Sequence, residues 1–196
     1  MEPNMPITSN RVPLSLLALL LAAGADPASA DAPANPEYAS HFGILGRPTN
    51  SAVVYRRDGY AGAYCGDPAD TSAKRLIYPI DAPGGFTIDH IRVSGVDQSA
   101  THDLNLKFFK VCQPFLAAGT PDIQLIGSGH SAGTDGTFSV LVGTSSQPVM
   151  PETCAYYVQA ELSAADTACV GPDLVVREVR VHMRDPDLIF KDSFES

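Results

Sequence analysis

Between Phe86 and Cys112 the chain reads FTIDHIRVSGVDQSATHDLNLKFFKVC, two runs in which apolar and polar residues alternate, separated by a polar stretch. In Asp103–Cys112, Leu104, Leu106 and Phe108 fall on one side and Asn105 and Lys107 on the other. That period of two suits a half-buried strand and cannot serve a helix. Ile91 and Val93 give the first run its inward side, and VDQSATHD between the runs carries Asp, Ser and Thr, whose side chains bond to nearby backbone and favour loops. The expectation is a pair of neighbouring strands.

The same pattern recurs along the chain. Ala52–Tyr55 reads as a short strand and Lys74–Ile80 as a strand with Leu76, Tyr78 and Ile80 together, where Pro79 implies an edge or an end because it has no N–H to donate. Ile123–Ile126 and Phe138–Val142 follow, the latter with Phe138, Val140 and Val142 on one face. Cys154–Leu162 sets Cys154, Tyr156, Val158, Ala160 and Leu162 against Gln159 and Glu161, and a strand from about Leu174 to Met183 sets Val175, Val179, Val181 and Met183 inward. With 16 Gly and 16 Pro and no stretch of helical period after residue 30, the expected fold is all-β. Seven to eight antiparallel strands would form a two-sheet, jelly-roll-like β-sandwich over residues 51–184.

Arg11 precedes the apolar run Val12–Ala25, too short to cross a bilayer, and Ala28-Ser29-Ala30 then gives the small-x-small pattern of a signal-peptidase site. Residues 1–30 are therefore expected to be a signal peptide cleaved after Ala30, leaving no membrane insertion, with secretion or periplasmic residence as the destination. Residues 31–50 read as a flexible lead-in and 185–196 as a C-terminal tail. A formal net charge of −9, with no basic run longer than a pair, argues against nucleic acid or an anionic membrane as partner.

Four cysteines in an exported chain, without close C-x-x-C spacing, imply two disulfides. If Asp103–Cys112 runs antiparallel to Cys154–Leu162, Cys112 lies beside Cys154, which leaves Cys65 for Cys169. A Cys154–Cys169 bond is disfavoured, since the intervening strand carries the two about 30 Å apart at ~3.3 Å per residue.

Three functional readings, a reactive serine, a bound metal and a sugar platform, compete with structural ones. Gly129-His130-Ser131-Ala132-Gly133 matches G-x-S-x-G, the turn that presents a hydrolase serine, and Asp173 then His182 follow in the order an acid and a base would take. Thr134-Asp135-Gly136 after it reads as a turn into a strand, whereas the chemistry needs a helix there. The expectation is a loop, with a small serine hydrolase using Ser131, Asp173 and His182 as the alternative. Asp97, Gln98, Ser99, Thr101 and Asp103 offer oxygen ligands suited to a structural Ca²⁺, although the same residues make hydrogen-bonded turns without an ion, and no other cofactor is implied. His41, His90, His102, His130 and His182 lack zinc-ligand spacing. Tyr55, Tyr60 and Tyr64 cluster before Cys65, a pattern that in a carbohydrate-binding module would stack on sugar, though the chain contains no Trp.

The run LIYPIDAPGGFTIDHIRVSGVDQSATHDLNLKFFKVC, then GSGHSAGTDGT, CAYYVQAEL and LVVREVRVHM, resembles a broad set of bacterial secreted single-domain β-sandwich proteins over about residues 75–183. The tail Ile189–Glu195, IFKDSFE, is similar to the Ile-Phe-x-Asp-Gly-Phe-Glu ending of secreted proteins of some Gram-negative bacteria, with Ser193 in place of Gly. The resemblance implies export and a sandwich, and no catalytic residues. Together these readings point to a secreted, non-catalytic β-sandwich with a binding or accessory role at the cell surface or outside it, a carbohydrate or cell-surface component being the partner in view.

Overall fold

Alternation becomes two facing sheets in the computed structural model of the chain, which describes residues 37–67, 69–113, 120–131, 136–143 and 146–185. The expected signal peptide, residues 31–36 of the lead-in, Ala132 and Gly133 of the G-x-S-x-G match, and the tail beyond Asp185 lie outside the described residues. In chain order the strands are β1 Glu37–Phe42, β2 Arg47–Pro48, β3 Tyr55–Arg57, β4 Ala63–Cys65, β5 Lys74–Ile80, β6 Thr87–Asp97, β7 Asn105–Cys112, β8 Asp122–His130, β9 Gly136–Val142, β10 Gln147–Pro148, β11 Cys154–Ser163 and β12 Leu174–Arg184.

The longer sheet has seven strands: β6 and β12 lie side by side at its centre, β9 and β10 pair with the far edge of β6, β1 and β4 pair with the far edge of β12, and β3 pairs with β4. The shorter sheet runs β2-β5-β11-β7-β8. All pairs are antiparallel, giving the expected all-β sandwich.

The inward sides are the ones the alternation marks: Leu76, Tyr78, Ile91, Val93, Leu106, Phe108, Val158, Leu162, Val179 and Val181 are essentially inaccessible to solvent. Each such side chain contributes roughly 1.5–3 kcal/mol when withdrawn from water. Tyr78 brings a hydroxyl into this core and donates it to the Gly43 carbonyl at 2.8 Å, which satisfies the group; burial pushes its phenol well above the ordinary range. Lys74 is buried at the mouth of β5, its amine donating to the carbonyl oxygens of Asp70 and Ser72 with the Asp70 carboxylate nearby.

Three expectations about elements are corrected. First, the two alternating runs of 86–112 are not paired with each other. β6 belongs to the seven-stranded sheet and β7 to the five-stranded one, because both edges of β6 are already occupied, by β12 on one side and by β9 and β10 on the other. Residues 98–104 therefore carry the chain from one sheet to the other, and Ile91, Val93, Leu106 and Phe108 share the core. Second, Glu37–Phe42 of the expected lead-in is a strand that follows β12 from Met183 to Glu178. Third, β8 extends to His130, past the Ile126 where alternation stops. A bulge at Ile126 shifts the register between Phe108 and Phe109, so outward residues are Ile123 and Leu125 before it and Ser128 and His130 after it.

The cysteines pair as Cys65–Cys169 and Cys112–Cys154, leaving no free cysteine. Cys112 and Cys154 face each other directly in neighbouring strands with Cα atoms 4.0 Å apart, whereas Cys65–Cys169 ties β4 to the segment between β11 and β12 at 6.0 Å. The loops closed span 42 and 104 residues. Replacing Cys112 and Cys154 together by Ala should lower the unfolding free energy by about 2–4 kcal/mol. Urea titration of the pure protein checks the size of the loss, and peptide mapping without reductant should return only these two linked pairs.

Candidate functional site

The crossing from β6 to β7 is fastened by the residue that the G-x-S-x-G match singles out. Ser131 follows directly after β8 and is fully buried; its hydroxyl donates to Asp97 Oδ2 and accepts the Leu104 N–H at 2.7 Å, while its own N–H donates to the Leu104 carbonyl at 3.0 Å. Asp97 ends β6, is itself buried, and accepts the Ser99 N–H on Oδ1 at 3.1 Å. Ser99 Oγ in turn accepts the N–H groups of Thr101 at 3.4 Å and His102 at 3.0 Å. Both Asp97 oxygens and the Ser131 hydroxyl are thus engaged in holding backbone at a corner. Of the residues weighed as calcium ligands, Asp97, Ser99 and Thr101 take part in a hydrogen-bonded turn.

The two glycines of this region serve the same packing. A Cβ on Gly127 would lie 1.7 Å from the Gly143 carbonyl oxygen, and one on Gly129 would lie 2.9 Å from Val140 Cγ1, so bare backbone in β8 is what lets β9 approach it.

The candidate triad is not assembled. Asp173 stands in a 3-10 turn just before β12, its carbonyl accepting the Gln98 N–H at 2.7 Å, which places its backbone near the corner. His182 lies near the other end of β12: Asp97 is opposite Leu174, and His182 is eight residues further along, about 26 Å at ~3.3 Å per residue. There the His182 ring stacks on that of His90 with centroids 4.5 Å apart, and its Nδ1 is 3.6 Å from Asp89 Oδ2. Desolvation, then His182 and Arg92, hold His90 below its ordinary value, against the opposing pull of Asp89. Among the described residues no group of three or more His, Cys, Asp or Glu is arranged to hold a metal ion.

Of the tyrosines before Cys65, Tyr55 donates its hydroxyl to the Arg75 carbonyl at 3.1 Å, and burial pushes its phenol up to about 12. Tyr60 is exposed, but one face of its ring is covered by the Arg177 guanidinium at 4.6 Å, and Arg177 is fixed by Asp58 at 3.0 Å. These aromatics therefore have structural partners.

The aromatic surface lies elsewhere, on the outer side of the five-stranded sheet. Register across the strands arranges its outward residues in rows: Arg75-Glu161-Asn105-His130, then Arg47-Ile77-Gln159-Lys107-Ser128, then Pro79-Tyr157-Phe109-Leu125, then Ala155-Val111-Ile123. Phe109 and Tyr157 stack on each other with centroids 5.2 Å apart, and Leu125 and Ile123 beside them are 56% and 60% exposed, forming an apolar shelf. Adjoining it, Asn105, Lys107, Ser128 and His130 line a groove of about 590 Å³ together with Leu106, Gly129 and Val140. The signal in the sequence was the outward parity of Phe109 and Tyr157, but only the register puts them side by side.

No known family model matches the sequence, and no curated protein matches it. Among solved structures, the crystal structure of Podospora anserina GH26-CBM35 beta-(1,4)-mannanase is similar over 76% of this chain and 28% of that one, at 12% sequence identity and a TM-score of 0.39. The chain thus spans less than a third of that protein's length.

Two outcomes follow from the geometry. Ser131→Ala strands a buried carboxylate and the Leu104 N–H, and should cost about 1–3 kcal/mol. Ser128→Ala on the exposed face of β8 should stay within about 0.5 kcal/mol, and urea unfolding of the two variants gives the comparison. For His90 the folded-state pKa lies below the unfolded one, so the unfolded chain takes the proton first as pH falls. Stability is therefore lost as pH drops through about 6.5. Thermal midpoints between neutral and mildly acid pH should fall less steeply in His90→Gln than in the wild type.

Proposed function

We propose that this protein is an exported, non-catalytic β-sandwich that binds polysaccharide on the outer side of its five-stranded sheet. The observation that carries this reading is the shelf of Pro79, Tyr157, Phe109 and Leu125 lying next to a groove lined by Asn105, Lys107, Ser128 and His130. A pyranose offers an apolar C–H face bordered by hydroxyls, and its recognition needs an apolar surface beside donors and acceptors that are not already committed to the protein. Export is supported by the targeting segment and by two disulfides, which persist in oxidising compartments. The non-catalytic part is supported by Ser131, whose hydroxyl is buried and turned to Asp97, with no histidine bonded to it among the described residues.

Electrophoresis of the mature protein through gels containing soluble polysaccharides tests the reading. At least one polysaccharide should retard the wild type, and Phe109→Ala and Tyr157→Ala should each restore free migration while retaining the wild-type circular dichroism. Unhindered migration in every polysaccharide, or retardation unchanged in both variants, rules the proposal out. A fluorophosphonate probe should leave the protein unlabelled, and labelling at Ser131 would return the hydrolase alternative.

A further inference from the structure

We infer that the saccharide bound on this face is anionic, a polymer carrying carboxylates such as a polyuronate, and that Lys107 is the residue that selects it. The inference rests on the binding role proposed for the face and adds the charge of its ligand.

The first observation is one of sign. The chain carries a formal net charge of −9, yet the outward rows of the five-stranded sheet hold Arg47, Arg75 and Lys107 against the single carboxylate of Glu161. That carboxylate is bonded to Arg75, Nε to Oε2, at 2.5 Å. Arg47 and Lys107 form no ion pair among the described residues. The arginines of β12 are matched differently: Arg177 pairs with Asp58, Arg180 with Glu178 and Arg184 with Asp89. A face of excess positive charge on an acidic protein attracts anions that the rest of the surface repels.

The second observation is position. Lys107 stands in the middle of its row between Gln159 and Ser128, half-buried, with the groove on one side and Phe109 two residues along on the same face. A ligand whose C–H face lies on the Phe109–Tyr157 shelf brings its substituents to the Lys107 amine, which has three N–H donors and here no acceptor. Partial burial weakens solvent screening, so an amine to carboxylate contact is worth more there than on an open surface. The groove presents one ammonium with the neutral Asn105 and Ser128 around it, and no guanidinium lines it. That charge density suits one carboxylate per sugar residue and not a densely sulfated chain, for which paired arginines are the better match. Arg47 lies three strand spacings away in the same row, about 14 Å, so a bound chain running across the strands meets a second cation.

The test compares polygalacturonate with its methyl-esterified form, which keeps the backbone and removes the charge, in affinity gels with the mature wild-type protein. Polygalacturonate should retard the protein strongly and the ester weakly, and added salt should weaken only the former. Lys107→Gln should raise the apparent dissociation constant for polygalacturonate about tenfold, the loss of one charge-assisted hydrogen bond. Lys107→Arg should keep most of the binding. Arg57→Gln, which removes an exposed cation from the other sheet, should change nothing; a loss equal to that of Lys107→Gln would mean diffuse attraction and overturn the assignment. Equal retardation by acid and ester, or wild-type binding by Lys107→Gln, overturns the anionic inference and leaves polysaccharide binding standing. Absence of retardation in these and in neutral polysaccharides overturns both.

Discussion

A carboxylate buried without a cation is an unusual thing to place at the edge of a core, and among the described residues Asp97 is held there by hydrogen bonds with no ion pair. Ser131 and the Ser99 amide take its two oxygens, and the same serine receives the Leu104 N–H. These bonds join the end of β6, the start of β7 and the end of β8, so one side-chain pair fixes the place where the chain leaves one sheet and enters the other. Transfer of such a group from water without partners would cost several kcal/mol, so the corner depends on these bonds being kept. The pairing of β7 with β8 starts here, since β7 leaves this corner and β8 ends at it.

Much of the layer structure was legible in the sequence because alternation reports burial directly. Leu76, Tyr78, Phe108, Val158 and Val179 could be assigned to the core from parity alone, and the Cys112–Cys154 bond followed from placing two strands antiparallel. Parity does not say which strand is the neighbour. The runs around Ile91 and Leu106 both have one buried side, and that is equally true of two strands in a hairpin and of two strands facing each other across a sandwich. The choice was made by the edges of β6, which distant segments had already taken. Glu37–Phe42 was hidden for a similar reason: an edge strand resting on β12 needs only a weak pattern of its own, and Ala39 and His41 supply it.

The candidate site was less legible. Local motifs point to Ser131, His182, Tyr55 and Tyr60, and each proves to have a partner within the fold. The outer face of the shorter sheet is made of residues that are unremarkable one at a time. Phe109 follows an inward Phe108, Tyr157 follows an inward Tyr156, and Lys107 is one lysine among ordinary surface charges. Their meaning comes from register, which sets residues dozens of positions apart in one row. The bulge at Ile126 adds to this, because it turns Ser128 and His130 outward and would mislead any reading that carried the parity of Ile123 and Leu125 through it.

The bond between Cys112 and Cys154 joins residues that stand directly opposite in β7 and β11, the two strands that carry Phe109 and Tyr157. A slip of one residue between those strands would send every outward side chain toward the core and every inward one to solvent. The crosslink therefore acts as a pin on the sliding coordinate of the sheet, added to the register that the buried sides of both strands specify. A reducing compartment would remove that pin and leave the two strands aligned by their buried sides alone.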